Sequence, residues 1–559
     1  QEEDPNSRYL AALIAFYEGR YDESIAKARQ AAQDRVGFYE ATQLEAEAYA
    51  AQADQATDSG RFDEAFRFYD RAGEVYRDLL ARVPSDASLY AGECSRRARK
   101  IEAEAISQRF VEPSVEEALG FCDRALQIDP ELTEALTQKA RLYRRRGLQR
   151  VRQGEDSRAD LAAAVAATER AMALNPRNSL AYNTFAVVLR SQAELLGRSP
   201  AAVPTLQRAA TAARRAVELQ PDRASYQSDL CTIYVTMAES DKADPRSALE
   251  KGIASCDEAV RLDPGLVSAH TNLGSAWKSL AEYQITRGID PTQAVERAVA
   301  STERAVSINP RRAPFHNNVG NAYLTLAEYQ MKRGADPRPT LEKAARAYRR
   351  SIEVDPKYQY GAFNLAWAER SLGLALLERG EDPGPALARA GAALETALRL
   401  NPEDADSFLE RARTALIAGR WEARQRRDPG AAFQAAVADL GRAEQLDPAE
   451  PEIHLTQAQV ERHRAAWSLA QSQPDRARRE IQSGLGHIAE ALATNPGDPL
   501  VLAEQGVLQS LAARLEIDPV RQRDQARRAA ASLTRALDTD PLLRREYGAA
   551  LAEAQKLAR

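Results

Sequence analysis

Small and apolar residues recur along this chain in a phrase that ends on proline, of the form A-L-x-L-[DN]-P. ALQIDP ends at Pro130, AMALNP at Pro176, AVELQP at Pro221, AVRLDP at Pro264, AVSINP at Pro310, SIEVDP at Pro356 and ALRLNP at Pro402. AEQLDP, ALATNP and ALDTDP follow at Pro448, Pro496 and Pro541, and a degenerate LLARVP precedes them at Pro84. Neighbouring prolines stand 46, 46, 45, 43, 46, 46, 46, 46, 48 and 45 residues apart. So regular a spacing makes an array of one unit. Five residues before the proline the side chain is small, as at Ala125, Ala171, Ala216, Ala259 and Ser351. The same holds twelve before it (Ala118, Ala164, Gly252, Ala344) and ten after it (Cys94, Ala140, Gly274, Gly320, Gly506). Small residues at fixed places let helix backbones approach closely, so each unit is read as two antiparallel helices. The proline stops the second helix, and the Asp or Asn before it is expected to cap the next one.

This placement of small residues resembles the tetratricopeptide repeat (TPR). Asn272-Leu273-Gly274 and Asn318-Val319-Gly320 match the N-L-G of that motif's first helix. Gly19-Arg20-Tyr21-Asp22-Glu23 and Gly60-Arg61-Phe62-Asp63-Glu64 look like the usual opening of its second. The resemblance implies an all-α, right-handed solenoid of about twelve helix pairs plus a C-terminal capping helix. The expected divisions are 1–35 for a short first pair, 36–130 for the next two, 131–541 for lengthened repeats and 542–559 for the cap. The family's unit has about 34 residues. The extra dozen precede the turns RGIDP (287–291), RGADP (333–337), RGEDP (379–383) and RRDP (426–429). They are expected to lengthen the first helix by about three turns. In repeat style the array also resembles the C-terminal regions of large bacterial serine/threonine protein kinases, which implies a catalytic domain upstream and a recruiting role here. A sequence that starts at Gln1 without a signal-peptide pattern fits a piece of a longer protein.

Composition removes several classes of function. The 76 basic and 81 acidic residues give a net charge of −5 with no basic block, so nucleic acid is not the expected partner. Apolar runs such as LAAAVAA (161–167) fall far short of the ~20 residues of a membrane span. No phosphate-cradling G-x-x-x-x-G-K-[ST] or G-x-G-x-x-G occurs, and no D-F-G. Neither enzyme nor cofactor is expected. His270, His316 and His454 each fall six residues after a repeat proline, where other units carry Tyr182, Leu136 or Phe408. They read as packing slots, and no Cys or carboxylate stands at ligand spacing, so no metal is expected. Cys94 and Cys231 share one repeat position, Cys122 and Cys256 another. Without a C-x-x-C they are expected to be buried, reduced thiols of a cytoplasmic protein.

One face carries candidate chemistry. In the resembling family the first helices line the concave groove. Eight residues after the prolines stand Thr184, Asp229, Asn272, Asn318 and Asn364; fifteen after stand Ser279 and Thr325; eleven after stand Asn321 and Arg413. Spacings of three, four and seven put these columns on one helix face. An amide both donates and accepts, so an asparagine ladder can clamp the backbone of an extended peptide; a groove facing water is polar in any case. A clamp for a C-terminal carboxylate is not expected, because Ser268, Pro314 and Tyr360 hold the places a cation would need. Asn318→Ala with Asn364→Ala is expected to weaken partner binding and leave the melting temperature unchanged. The function implied is a non-catalytic scaffold for proteins or peptides. The alternatives are a ligand- or peptide-responsive sensor and a free-standing assembly scaffold.

Overall fold

The computed structural model describes residues 4–107, 113–197, 199–241 and 245–559. Described residues form helices and turns, with no strand among them. The chain divides into two units, residues 1–288 with 296–311, and residues 289–295 with 312–559. The first unit opens with the short pair α1 (Pro5–Tyr17) and α2 (Tyr21–Asp34). Then come α3 (Tyr39–Asp58) with α4 (Phe62–Arg82), α5 (Ala87–Ile106) with α6 (Pro113–Ile128), and α7 (Thr133–Arg152) with α8 (Arg158–Leu174). α9 (Ser179–Glu194) pairs with α10 (Val203–Leu219) and α11 (Ala224–Ser240) with α12 (Pro245–Leu262); α13 (Val267–Thr286) and most of α14 (Thr292–Ile308) follow. The second unit holds α15 (Ala313–Arg333) with α16 (Arg338–Val354), α17 (Gln359–Arg379) with α18 (Gly384–Leu400), and α19 (Ala405–Arg424) with α20 (Gly430–Leu446). α21 (Pro451–Ala470) with α22 (Pro474–Thr494), α23 (Pro499–Leu515) with α24 (Pro519–Thr539), and a lone α25 (Arg544–Leu557) complete it.

The fold is an all-α solenoid, and its layers follow from which helices meet. Within each unit a first helix packs on its own second helix and on the first helices of adjacent repeats; second helices of adjacent repeats do not pack so extensively on one another. First helices therefore form the inner layer. The side chains five before the proline are sealed in these seams: Ala125, Ala171, Ala216, Ala259, Ser351 and Ala443 have 0% exposure. Position ten after the proline faces position eight before the next, and the two trade size. Gly320 faces Tyr348, Gly506 faces Leu533 and Gly274 faces Thr302; a Cβ on those glycines would stand 2.4, 2.5 and 2.3 Å from the facing side chain.

Three expectations are corrected. The first concerns the cysteines, which are not free thiols. Cys94 on α5 is bonded to Cys122 on α6, and Cys231 on α11 to Cys256 on α12, with Cα atoms 5.4 and 5.3 Å apart. Cysteine fills both facing positions in the same two repeats, which is the sequence signal for a bridge. Second, the added residues are shared between the helices. Against α1 and α2, with 13 and 14 residues, α15 and α16 have 21 and 17, so about two turns go to the first helix and one to the second. Third, the Asp or Asn before the proline does not cap the next helix in the repeats of the first unit. Asp129 Oδ1 accepts the N–H of Glu131 (2.9 Å), Asn175 that of Arg177 (3.0 Å) and Asp263 that of Gly265 (2.9 Å), tying the turn across the proline. Inside the repeats the Asp-Pro turns use the same device at helix starts: Asp382 Oδ1 accepts from Gly384 N (2.9 Å) and Asp428 Oδ1 from Gly430 N (3.0 Å). The preceding helices end as expected on left-handed glycines, Gly288, Gly334 and Gly380, with φ of 70–78°.

Candidate interaction surface on the inner helices

In the first unit the polar columns bond from one first helix to the next. Asn183 Nδ2 donates to Asp229 Oδ2 (2.7 Å) and Asn272 Nδ2 to Ser228 Oγ (3.0 Å), while Ser279 Oγ reaches Glu239 Oε1 at 3.5 Å. Thr184 is buried among them. Burial holds the Asp229 carboxyl above its usual range, against the Asn183 hydrogen bond and the pull of Arg190, Arg144 and Arg141. Arg145 Nε donates to Glu102 Oε2 (3.1 Å), and Arg144 stands 3.8 Å from the same carboxylate. Burial alone would raise Glu102, but Arg145 and Arg144 outweigh it and hold the group below its usual range. Arg144 is partly buried, its side chain 15% exposed. Its guanidinium is drawn down to about 10 by that burial and by Arg145, Arg190 and Arg141, against the pull of Glu102. Arg190 pairs with Glu194 at 2.6 Å, and Arg141 donates to the neutral Gln138 at 3.1 Å. Four arginines, Arg141, Arg144, Arg145 and Arg190, thus meet three carboxylates, Glu102, Glu194 and Asp229.

In the second unit the ladder is spent on itself. Asn364 Nδ2 donates to Asn317 Oδ1 (2.9 Å) and Asn321 Oδ1 (3.3 Å), and Tyr348 Oη donates to that same Asn321 oxygen at 2.9 Å. Thr325 Oγ1 turns back to the Asn321 carbonyl at 3.1 Å, the usual habit of a hydroxyl within a helix. Asn318 makes no hydrogen bond among the described residues and keeps its amide available. Arg413 lies in a chain of ion pairs: Glu410 receives Arg370 (2.6 Å) and Arg413 (2.8 Å), and Arg413 also reaches Glu452 (2.6 Å). Farther along, Arg462 stands 3.2 Å from Glu504, to which Tyr547 donates at 2.6 Å. Burial pushes the His463 imidazole well below its usual range, and Arg462 and Arg420 add to the effect. His463, Arg420, Glu378 and Trp467 line a cavity of about 530 Å³.

Sequence reading missed a basic column. Fourteen residues after their prolines five repeats carry Arg144, Arg190, Lys278, Arg370 and Arg462, and five carry Ala98, Val235, Leu324, Leu416 and Ser510, one place before the column that holds Ser279 and Thr325. Repeat arithmetic alone exposes it.

No protein-family model matches this chain, and no curated protein sequence does. Among solved structures it is similar to the human IFIT1 dimer with m7Gppp-AAAA, at 14% identity over 80% of this chain and 91% of that one, with a TM-score of 0.39. It is similar to yeast Tom70 at 13% identity over 97% and 98% of the two chains, with a TM-score of 0.36. A third is YrrB, a TPR protein with an unusual peptide-binding site, at 15% identity over 44% of this chain and 96% of that one, with a TM-score of 0.28. The evenly spaced helix pairs of the chain itself make it an all-α helical-repeat protein.

Proposed function

We propose that this chain is a non-catalytic scaffold that grips an extended, acidic segment of a partner protein along the inner faces of its first helices. The observation that carries this reading is the arginine cluster of the first unit, where Arg144 and Arg145 share the carboxylate of Glu102 and Arg141 donates to the neutral Gln138. A carboxylate from a partner supplies what the site lacks, with charge-assisted hydrogen bonds. Asp229 and Asn272 stand on the same face of that unit, with Thr184 and Ser279 buried beneath it; Asn318, Asn321, Asn364 and Arg413 stand on its counterpart in the second, with Thr325 buried. Fluorescence anisotropy with a labelled, glutamate-rich peptide tests it, beside a neutral peptide and a single-stranded RNA of similar length. The acidic peptide is expected to bind best, to weaken with salt, and to lose at least about tenfold affinity in Arg144→Ala with Arg190→Ala, as when a partner of a charged pair is removed. Equal affinity for the variant, or tighter binding of RNA, rejects the reading.

Service to a serine/threonine kinase is proposed on repeat style alone. A surrounding coding sequence without G-x-G-x-x-G and H-R-D motifs rejects it. For location, no described helix is long and apolar enough to cross a membrane. The two disulfides support an oxidising compartment, against the cytoplasmic expectation. Thiol titration of the denatured, unreduced protein from its native source is expected to find no free thiol; four would restore the cytoplasmic reading.

A further inference from the structure

Two of the five histidines converge from distant places in the sequence. α21 and α22 are the antiparallel helices of one repeat, so the first turn of α21 lies beside the end of α22. His454 comes from the former; His487 and Glu490, three apart on one helix face, come from the latter. Glu490 Oε2 lies 3.2 Å from His454 Nδ1 and 3.5 Å from His487 Nδ1. The two imidazoles are nearly parallel, at 15°, with centroids 6.5 Å apart. One donor atom from each of the three residues falls within 4.8 Å of the others. The carboxylate partner that seemed missing from the spacing around His454 is supplied by the neighbouring helix.

Ions of the zinc class bind nitrogen and oxygen donors at about 2.0–2.1 Å, which in tetrahedral geometry sets neighbouring donors about 3.3 Å apart. The two carboxylate–imidazole separations, 3.2 and 3.5 Å, bracket that value. His487 Nδ1 is buried and makes no hydrogen bond; its nearest polar neighbour is the Glu490 carboxylate. Gln457 donates from Nε2 to Glu444 (2.7 Å), and its Oε1 accepts from His454 Nδ1 at 3.1 Å, a proton and a hydrogen bond that this nitrogen gives up when it ligates through Nδ1. Two imidazoles and one carboxylate suit Zn²⁺ and its late first-row neighbours; Mg²⁺ and Ca²⁺ prefer oxygen alone.

We propose that His454, His487 and Glu490 bind a divalent transition-metal ion, Zn²⁺ foremost, which pins α21 to α22. Three protein ligands leave a position open to water or to an incoming side chain. Glu490 is 57% exposed, so that position is reachable from outside. A bare histidine–glutamate contact would give the same distances without a metal, and titration separates the two. The full chain, stripped with a chelator, is titrated with Zn²⁺ by calorimetry and with Co²⁺ by visible absorption. One equivalent is expected to bind, with a tetrahedral Co²⁺ spectrum and a rise in melting temperature under excess Zn²⁺. His454→Ala and His487→Ala are each expected to weaken binding by more than about tenfold, the scale at which even outer-shell losses are felt. His270→Ala serves as the control, since that ring hydrogen-bonds the Pro264 carbonyl at 3.0 Å. Glu490→Gln alters one exposed side chain without threatening the fold, and is expected to weaken binding likewise while circular dichroism stays unchanged. No uptake by the unaltered chain, or equal uptake by Glu490→Gln and the two histidine variants, overturns the site.

Discussion

Arg426 and Ser472 hold the left-handed backbone that glycine holds at the equivalent turns, with φ of 58° and 57°. That conformation costs an ordinary residue about 1 kcal/mol or more, while glycine carries a larger entropy loss on folding. Arg426→Gly is therefore expected to stabilise the chain by about 0.5–1 kcal/mol, read as a higher denaturation midpoint in urea. The turn RRDP gave no hint of this, because its geometry is imposed by the two helices it joins. The asparagines divide in the same way. Asn364 bridges two first helices through Asn317 and Asn321, so Asn364→Ala is expected to lose about 1 kcal/mol. Asn318→Ala is expected to leave the midpoint unchanged. A helical wheel puts both on one face; only the register between repeats tells which amide is already used.

At the scale of the helix, size is conserved across a pair of positions rather than at either one. Gly320→Ala would press a methyl 2.4 Å from a ring carbon of the fully buried Tyr348, at a cost of about 1–3 kcal/mol. Ala366 with Leu394, and Ala412 with Leu440, show the smaller solution to the same contact. Adding Tyr348→Leu to Gly320→Ala is thus expected to recover much of the loss, a coupling that a double-mutant cycle measures. The small members of these pairs were legible as a column in the sequence; the large members were not, since Thr302, Tyr348, Leu394 and Leu533 mix a hydroxyl, a ring and aliphatic chains. The disulfides occupy that same pair of columns; the columns were legible, but that they face each other was not. Charge behaves differently. Burial would raise Glu410, yet Arg370 and Arg413 outweigh it and hold the carboxyl below 4.5. Because the folded pKa lies below the unfolded one, its stabilisation is present above about pH 4.5 and fades as pH falls through the folded value. Glu410→Gln is expected to flatten that acid limb in a pH series of melting temperatures.

Over the whole molecule, nearest-neighbour packing explains most of the stability and all that the repeat pattern revealed. Contacts spanning many repeats lay beyond it. In the first unit Asn309 Nδ2 reaches the Asp58 carbonyl at 3.4 Å, across 251 residues, and Gly60 leaves the room that the Asn309 amide fills. In the second, Arg545 donates to the Met331 carbonyl at 2.6 Å, across 214 residues. Both depend on how much each repeat is rotated against the next, a small angle summed over several units and written in no single residue. Arg545 is half exposed, so Arg545→Ala is expected to change global stability by less than about 0.5 kcal/mol. Faster amide exchange confined to α25 is the expected sign of the lost contact.

The bridges join helices inside a repeat and never one repeat to another, which matters if the array is pulled lengthwise. Each closes a loop, of 28 and 25 residues, so 53 residues cannot straighten while the bridges last. At about 3.4 Å per residue the chain withholds roughly 180 Å of its reach. Optical-tweezer traces taken with and without reductant should differ in final length by that amount, making this solenoid a tether whose limit of extension is set by the redox state around it.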